Sequence, residues 1–261
     1  TGWLVEATWP LVEVPSRWPL ATWPVAGLDG VAWFALCAGA TAALSPLPRS
    51  GRAAGVVLVL AACLWRPPPV PAGAARMTVL DVGQGLAVVV ETRRHTLVYD
   101  AGPSFRSGSD TGQIVVVPFL HHRGLRSVDV LAVSHDDDDH KGGAASVLAL
   151  LPVTHVVAGP GIDFAAFAPW HGRSTMARCR RGQSWQWDGV QFEWLHPGPQ
   201  RFERDNDGSC VLLVRAGAHS ALVAGDVERQ GEAELLQQSA PGPVDIVIVP
   251  HHGSRTSSTP A

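Results

Sequence analysis

The stretch "VLAVSHDDDDHKGG" (130–143) decides how this chain is read. An apolar run leads into His135, four consecutive aspartates (136–139) follow, and His140, Lys141 and two glycines close the segment. Adjacent carboxylates repel, and without a cation at least one of them must hold its proton more tightly. A solvated acidic loop is one account of such a run. The flanking histidines favour another, in which the loop leaves a strand and gathers around metal. In an extended segment His135 and Asp137 share one side. Asp139 and His140 then stand at a helix start within reach of a second ion, and Gly142 and Gly143 let that helix pack closely. Mixed imidazole and carboxylate ligands suit Zn²⁺ or Mn²⁺, one ion or two, and a pair of ions can clamp a phosphodiester and its attacking water.

The same chemistry recurs at other strand ends. "TLVYD" (96–100) ends at Asp100, "SALVAGD" (220–226) at Asp226, and "VDIVIVP" (244–250) runs into His251 and His252. With the strand before His135, separate apolar strands each deliver a carboxylate or an imidazole at the carboxyl end, where ligands of open α/β sheets collect.

Around that centre the chain is 261 residues long, 46% hydrophobic and 16% charged, with net charge −3. This excludes a basic protein that coats nucleic acid, and a disordered chain. Contact with DNA must come from a local patch or through metal. The four cysteines, with no C-x-x-C spacing, make neither a disulfide scaffold nor a cysteine-rich zinc module.

Composition changes near residue 70. Residues 30–48 and 53–65 are two uncharged apolar runs, with Trp23, Trp33 and Trp65 near their ends and Arg52 and Arg66 flanking the second. The pattern predicts a membrane hairpin; a pair of buried core helices is the other reading. Residues 1–66 are thus expected to be the end of a membrane-spanning region, 67–76 a Pro-rich linker, and 77–261 a separate domain. The chain does not open with Met and reads as part of a larger membrane protein. Arg49 and Arg52 put the hairpin tip on the cytoplasmic side and the following domain outside the inner membrane, with Arg66 and Arg76 weighing the other way.

Short strands are expected over 77–83 and 86–92, as a hairpin about Gly83–Gly85, and over 95–102, 127–135 and 153–159. Segments 189–197, 209–217 and 219–226 read as a meander, and 244–254 as a last strand. Helices are expected over 142–152 and 229–238, and 113–125 is open between strand and short helix. Such an order predicts an α/β sandwich.

His135-x-Asp137-x-Asp139-His140 resembles the H-x-[HD]-x-D-H signature of the metallo-β-lactamase superfamily. With "LDVGQG" (80–85), "GDVE" (225–228) and "VPHHGSRTSS" (249–258), residues 77–261 resemble the C-terminal domain of the ComEC family of DNA-uptake competence proteins. The resemblance implies an αβ/βα sandwich of metallo-β-lactamase type, preceded by the end of a membrane region. It implies metal ligands at His135, Asp137, Asp139, His140, Asp226 and His251, with Asp226 bridging two ions. Asp100 matches a hydrogen-bond acceptor that organises the metal loop, and Asp139, Asp226 and Asp100 are the catalytic carboxylates. His252, Ser254, Arg255, Thr256, Asn206 and Lys141 are candidate substrate contacts, with a polar turn as the alternative for 254–258. A remaining histidine ligand has no counterpart; Asn206, Asp207 or Ser209 could stand in for it. Gly208 and Leu86 replace residues usual in the family. The resemblance also implies that the domain continues past residue 261.

The implied function is DNA internalisation in natural transformation, with a metal-dependent phosphodiesterase degrading the non-entering strand. Its implied partners are DNA, the inner membrane and other uptake components. A module that guides DNA without cutting it, and a hydrolase of small esters or lactams, are the rival readings. Cys37 and Cys63 read as packing residues, whereas Cys179 and Cys210 are open between a disulfide and two buried thiols.

Overall fold

The computed structural model describes residues 2–16, 26–170, 172–200, 202, 205–239 and 241–258. The chain forms two compact units, residues 1–67 with 121–124, and residues 68–120 with 125–261. Trp18 and Trp23 lie outside the described residues.

The first unit contains α1 (Gly2–Ser16), α2 (Gly30–Leu44) and α3 (Arg49–Cys63). Asp29 caps α2 by accepting from the Ala32 amide at 2.8 Å. The hairpin of α2 and α3 closes tightly at a glycine pair: a Cβ on Gly39 or Gly55 would lie 2.7 or 2.6 Å from the other's carbonyl oxygen. Each helix has 15 residues, about 22 Å of rise, against the ~30 Å of a bilayer's hydrocarbon. The two helices pair as a hairpin, but the expected membrane hairpin is not shown: among the described residues no helix is long and apolar enough to cross a membrane.

The second unit is a four-layer sandwich. One sheet has the order β1 (Arg76–Val79), β2 (Val88–Glu91), β3 (Thr96–Tyr99), β4 (Val128–Val133), β5 (Val153–Ala158) and β6 (Thr175–Arg178). The pairs β1–β2 and β2–β3 are antiparallel, and β3 through β6 run parallel. The other sheet has the order β11 (Ile246–Ile248), β10 (His219–Val223), β9 (Val211–Ala216), β8 (Val190–His196) and β7 (Ser184–Trp187).

The alternation of strand side chains explains the layers. Val88, Val90, Leu97, Tyr99, Val130 and Ala132 face the second sheet and pack on Phe192, Trp194, Leu212 and Val214. Their neighbours Val89, Val98, Leu131 and Val133 face the opposite way, against Val116, Leu120, Val147 and Leu148 of the helices. Beyond the second sheet, Leu195, Val211, Leu213 and Leu222 meet Leu235 of α7 (Arg229–Ser239). Both sheets are thus buried on two faces, which is why their strands read as continuous apolar runs.

Several boundaries differ from those expected. The β1–β2 connection is long, running from 80 to 87. Segment 113–125 is helical: a π-turn over Gly112–Val116 continues as α4 (Val117–His122), because Val116, Val117 and Leu120 recur at helical spacing on the buried face. The helix after the aspartates is split into α5 (Asp138–Lys141) and α6 (Ala144–Leu150) by the glycine pair. The last strand is only three residues long.

A candidate metal centre at the strand ends

Asp100 leaves β3 in the left-handed region, with φ 57°. That turn swings its fully buried carboxylate under the loop that follows β4. Its Oδ1 accepts from the Ser134 amide at 2.7 Å. Its Oδ2 lies 2.7 Å from Ser134 Oγ and 2.8 Å from His140 Nδ1. A carboxylate only accepts, so Ser134 Oγ and His140 Nδ1 both carry the proton. Ser134 Oγ, its own proton committed, accepts from His135 Nδ1 at 2.9 Å. One carboxylate thereby sets the tautomer of both histidines and leaves the two Nε2 atoms turned to the centre.

The four aspartates have four different environments. Asp136 pairs with Lys141 at 2.7 Å, and its amide donates to the Asp205 carboxylate at 2.5 Å. Asp137 lies 3.4 Å from His135 Nε2. Asp138 holds Ser104 through Oγ at 2.7 Å and through the amide at 3.2 Å. Asp139 lies 3.4 Å from His252 Nε2. Gly143 is required beneath them, since a Cβ there would sit 2.3 Å from both the Ala101 carbonyl oxygen and the Gly112 amide nitrogen.

Asp226 enters from the end of β10, with Oδ1 3.1 Å from His140 Nε2 and Oδ2 3.4 Å from His252 Nε2. His252 Nε2 is also 3.3 Å from His140 Nε2. His251 and His252 both take left-handed backbone, with φ 47° and 51°, and their rings diverge. His251 turns Nδ1 to Glu228, at 3.1 Å, and to Thr256 Oγ1, at 2.9 Å; its Nε2 stays 4.0 Å from Asp226. Two donor groups result among the described residues, His135–His140–Asp226 and Asp139–His140–His252, each with its ligand atoms within 4.8 Å of one another. His252, expected to meet substrate, is thus in a donor group, and His251, expected to be a ligand, is not.

These residues fit a divalent cation. His135 Nε2 is buried with no hydrogen-bond partner among the described residues, in the manner of a ligand atom. Burial, and then the neighbouring charge of His140, hold the His135 pKa below its ordinary value, which keeps that ring neutral. Burial opposes charge on His140 as well, but Asp100 and Asp226 outweigh it and push its pKa up to about 10, so a cation binding here would displace a proton from Nε2. Burial would raise Asp226, yet His140, with His135 and His252, holds it low and ionised.

The other expected contacts are placed around this centre. Asn206 begins a short 3₁₀ turn. Asp207 accepts from the Gly231 amide at 2.8 Å, and Ser209 Oγ from the Asp226 amide at 3.3 Å. The "DNDGS" segment thus buttresses Asp226 through Ser209. Ser254 and Thr256 bond each other at 3.1 Å, and Arg255 is exposed. Ser134 and Glu228 were not anticipated; the adjacency of Ser134 to His135 was the available signal. Cys179 and Cys210 form a disulfide with Cα atoms 5.9 Å apart, joining the two sheets behind the centre.

A two-sheet αβ/βα sandwich gathering buried histidines and aspartates at its strand ends defines a class, the metal-dependent hydrolase fold. The chain belongs to the metallo-β-lactamase superfamily, whose profile matches residues 80–261. It is 38% identical over 229 residues to competence protein ComA of Neisseria gonorrhoeae, covering 87% of this chain and 30% of that protein. Recombination protein 2 of Haemophilus influenzae is 34% identical over 180 residues, covering 69% of this chain and 21% of that protein. The uncharacterized protein YcaI of Escherichia coli is 31% identical over 252 residues, covering 96% and 31%. The chain spans less than a third of the length of each of these relatives.

Proposed function

We propose that residues 77–261 form a metal-dependent phosphodiesterase that degrades the non-entering strand during DNA uptake. The observation that carries this reading is the pair of donor groups sharing His140, in a chain similar to a competence protein over 87% of its length. A bound divalent cation would activate water and offset the negative charge that develops on the phosphoryl and leaving-group oxygens. The chain's own residues do the rest. Asp100 holds His140, and through Ser134 it holds His135, so both imidazoles present Nε2 without rearrangement. Asp226, with one oxygen toward His140 and the other toward His252, would be a carboxylate ligand. We assign His252 to the donor set and His251 to its flank, where Glu228 and Thr256 fix the ring. Asp137 and Asp139, both at the rim, complete the set. Arg255, exposed three residues after His252, and Lys141, which follows His140, are candidate phosphate contacts.

The reading extends to topology. Exposed apolar side chains on α2 and α3, among them Val31, Phe34, Val57 and Leu60, support their belonging to a membrane region. The Cys179–Cys210 disulfide supports an oxidising compartment for the metal domain, the periplasm in this reading. The test is a nuclease assay on the chain loaded with Zn²⁺ or Mn²⁺, alongside a lactam and a carboxylic ester. DNA cleavage that a chelator stops is expected; hydrolysis of the lactam or ester alone would replace this reading with that of a general hydrolase.

A further inference from the structure

The metal centre accounts for one phosphodiester, and the phosphates that flank it need contacts of their own. Asp136 and Asp137 are 46% and 53% exposed at its rim, and the chain's net charge is −3. Those carboxylates offer nothing to the neighbouring phosphates of a polyanionic strand, so contacts for these phosphates must come from cations beside the site.

Such cations are present two strands away. β4, β5 and β6 run parallel, with Val133 level with Ala158, and Ala158 level with Arg178. The residues that follow, His135, Pro160 and Arg180, therefore leave the same sheet edge. β4 and β6 are two strand spacings apart, about 10 Å. After β6 comes "RCRR" (178–181), three arginines in four residues. It lines a groove of about 540 Å³ shared with Pro160, Pro197 and Gly198.

Two of the arginines are pre-positioned. The Arg178 guanidinium donates to the Gly159 carbonyl and lies 4.1 Å over the Phe164 ring. Arg181 is held at 3.0 Å by the buried Glu234. The third, Arg180, is exposed and makes no ion pair or side-chain hydrogen bond with a described residue. Between them Cys179 is fixed by its disulfide to Cys210, whose amide donates to the Ser134 carbonyl at 3.1 Å. The arginine turn is thus tied to the loop that carries His135.

We propose that Arg178, Arg180 and Arg181 form a phosphate-binding groove that holds the backbone of a DNA strand next to the phosphodiester at the metal centre. This rests on the phosphodiesterase reading for its substrate class, but the test separates the two. Binding of a labelled single-stranded oligonucleotide to the 261-residue chain is measured in chelator, where no cleavage intervenes, across a salt series. Arg180→Glu should weaken binding at least about tenfold and flatten the salt dependence by roughly 0.7 in log–log slope, one phosphate contact. Arg180→Lys should restore most of it. Arg93→Glu, an exposed arginine lining a different pocket, is the control and should bind as the parent does. Equal affinity of Arg180→Glu and the parent, equal losses in Arg180→Glu and Arg93→Glu, or no binding by the parent would each overturn the groove. A parent chain that binds through Arg180 yet never cleaves DNA with metal would refute the phosphodiesterase reading and leave the groove standing.

Discussion

His140 Nδ1 lies 2.8 Å from Asp100 Oδ2, with both side chains fully buried. The same oxygen takes the Ser134 hydroxyl at 2.7 Å. Acceptors of this kind typically govern metal affinity by 10–100-fold. Asp100→Ala should therefore lower Zn²⁺ affinity within that range, measured by competition with a chromophoric chelator. Ser134→Ala, which removes only the relay to His135, should fall at its lower end. Unchanged affinity in both variants would mean that the relay does not organise the ligands.

The diverging rings of His251 and His252 make a second prediction. His252→Ala should reduce bound metal per chain, whereas His251→Ala should leave metal content near that of the parent. Elemental analysis of the purified variants decides it, and the reverse ranking would return His251 to the ligand set.

How much of this was legible in the sequence depends on the kind of interaction. Asp100, His135 and Asp226 were readable because each follows an apolar strand, and strand order brings those ends to one edge; His140 was readable from its place in the H-x-D-x-D-H pattern at a helix start. The rings of His251 and His252 were not, because two left-handed residues in succession reverse the alternation that a strand reading assumes. The "DNDGS" segment was weighed as a ligand source, yet its Asp207 and Ser209 serve backbone amides of Gly231 and Asp226. That distinction depends on burial that periodicity does not encode. Segment 113–125 was ambiguous for the same reason: a short apolar run fits either a buried strand or a buried helix.

The disulfide closes a loop with a sequence separation of 31. By chain entropy such a loop contributes about 3.7 kcal/mol through the unfolded state. Replacing Cys179 and Cys210 together with alanine should lower the unfolding free energy by that order in urea titration. Reductant should affect the parent in the same direction and leave the double variant unmoved. A parent insensitive to reductant, with free thiol at both positions by mass spectrometry, would exclude the bridge.

Asp188 sits in the two-residue turn between β7 and β8, where Asp188 and Gly189 both have positive φ. Burial works against its charge, but hydrogen bonds from Thr92, His95 and Arg94 outweigh this and hold its pKa below the ordinary carboxylate value. A depressed pKa stabilises the fold above the unfolded value, about 3.9, and that contribution is lost as pH falls through the folded value. Asp188→Asn keeps a residue suited to the turn and removes the charge. It should be less stable than the parent at neutral pH, with the difference shrinking below about pH 4. A difference that does not vary with pH would assign the loss to geometry instead of charge.

The central claim is tested most directly by Asp139→Ala combined with His140→Ala in a version of the domain that cleaves DNA with added Zn²⁺ or Mn²⁺. Both residues belong to the donor group that includes His252, so metal-dependent cleavage should be abolished while the strand-binding groove still holds DNA. Cleavage that continues undiminished in the double variant, and still requires metal, would contradict the account.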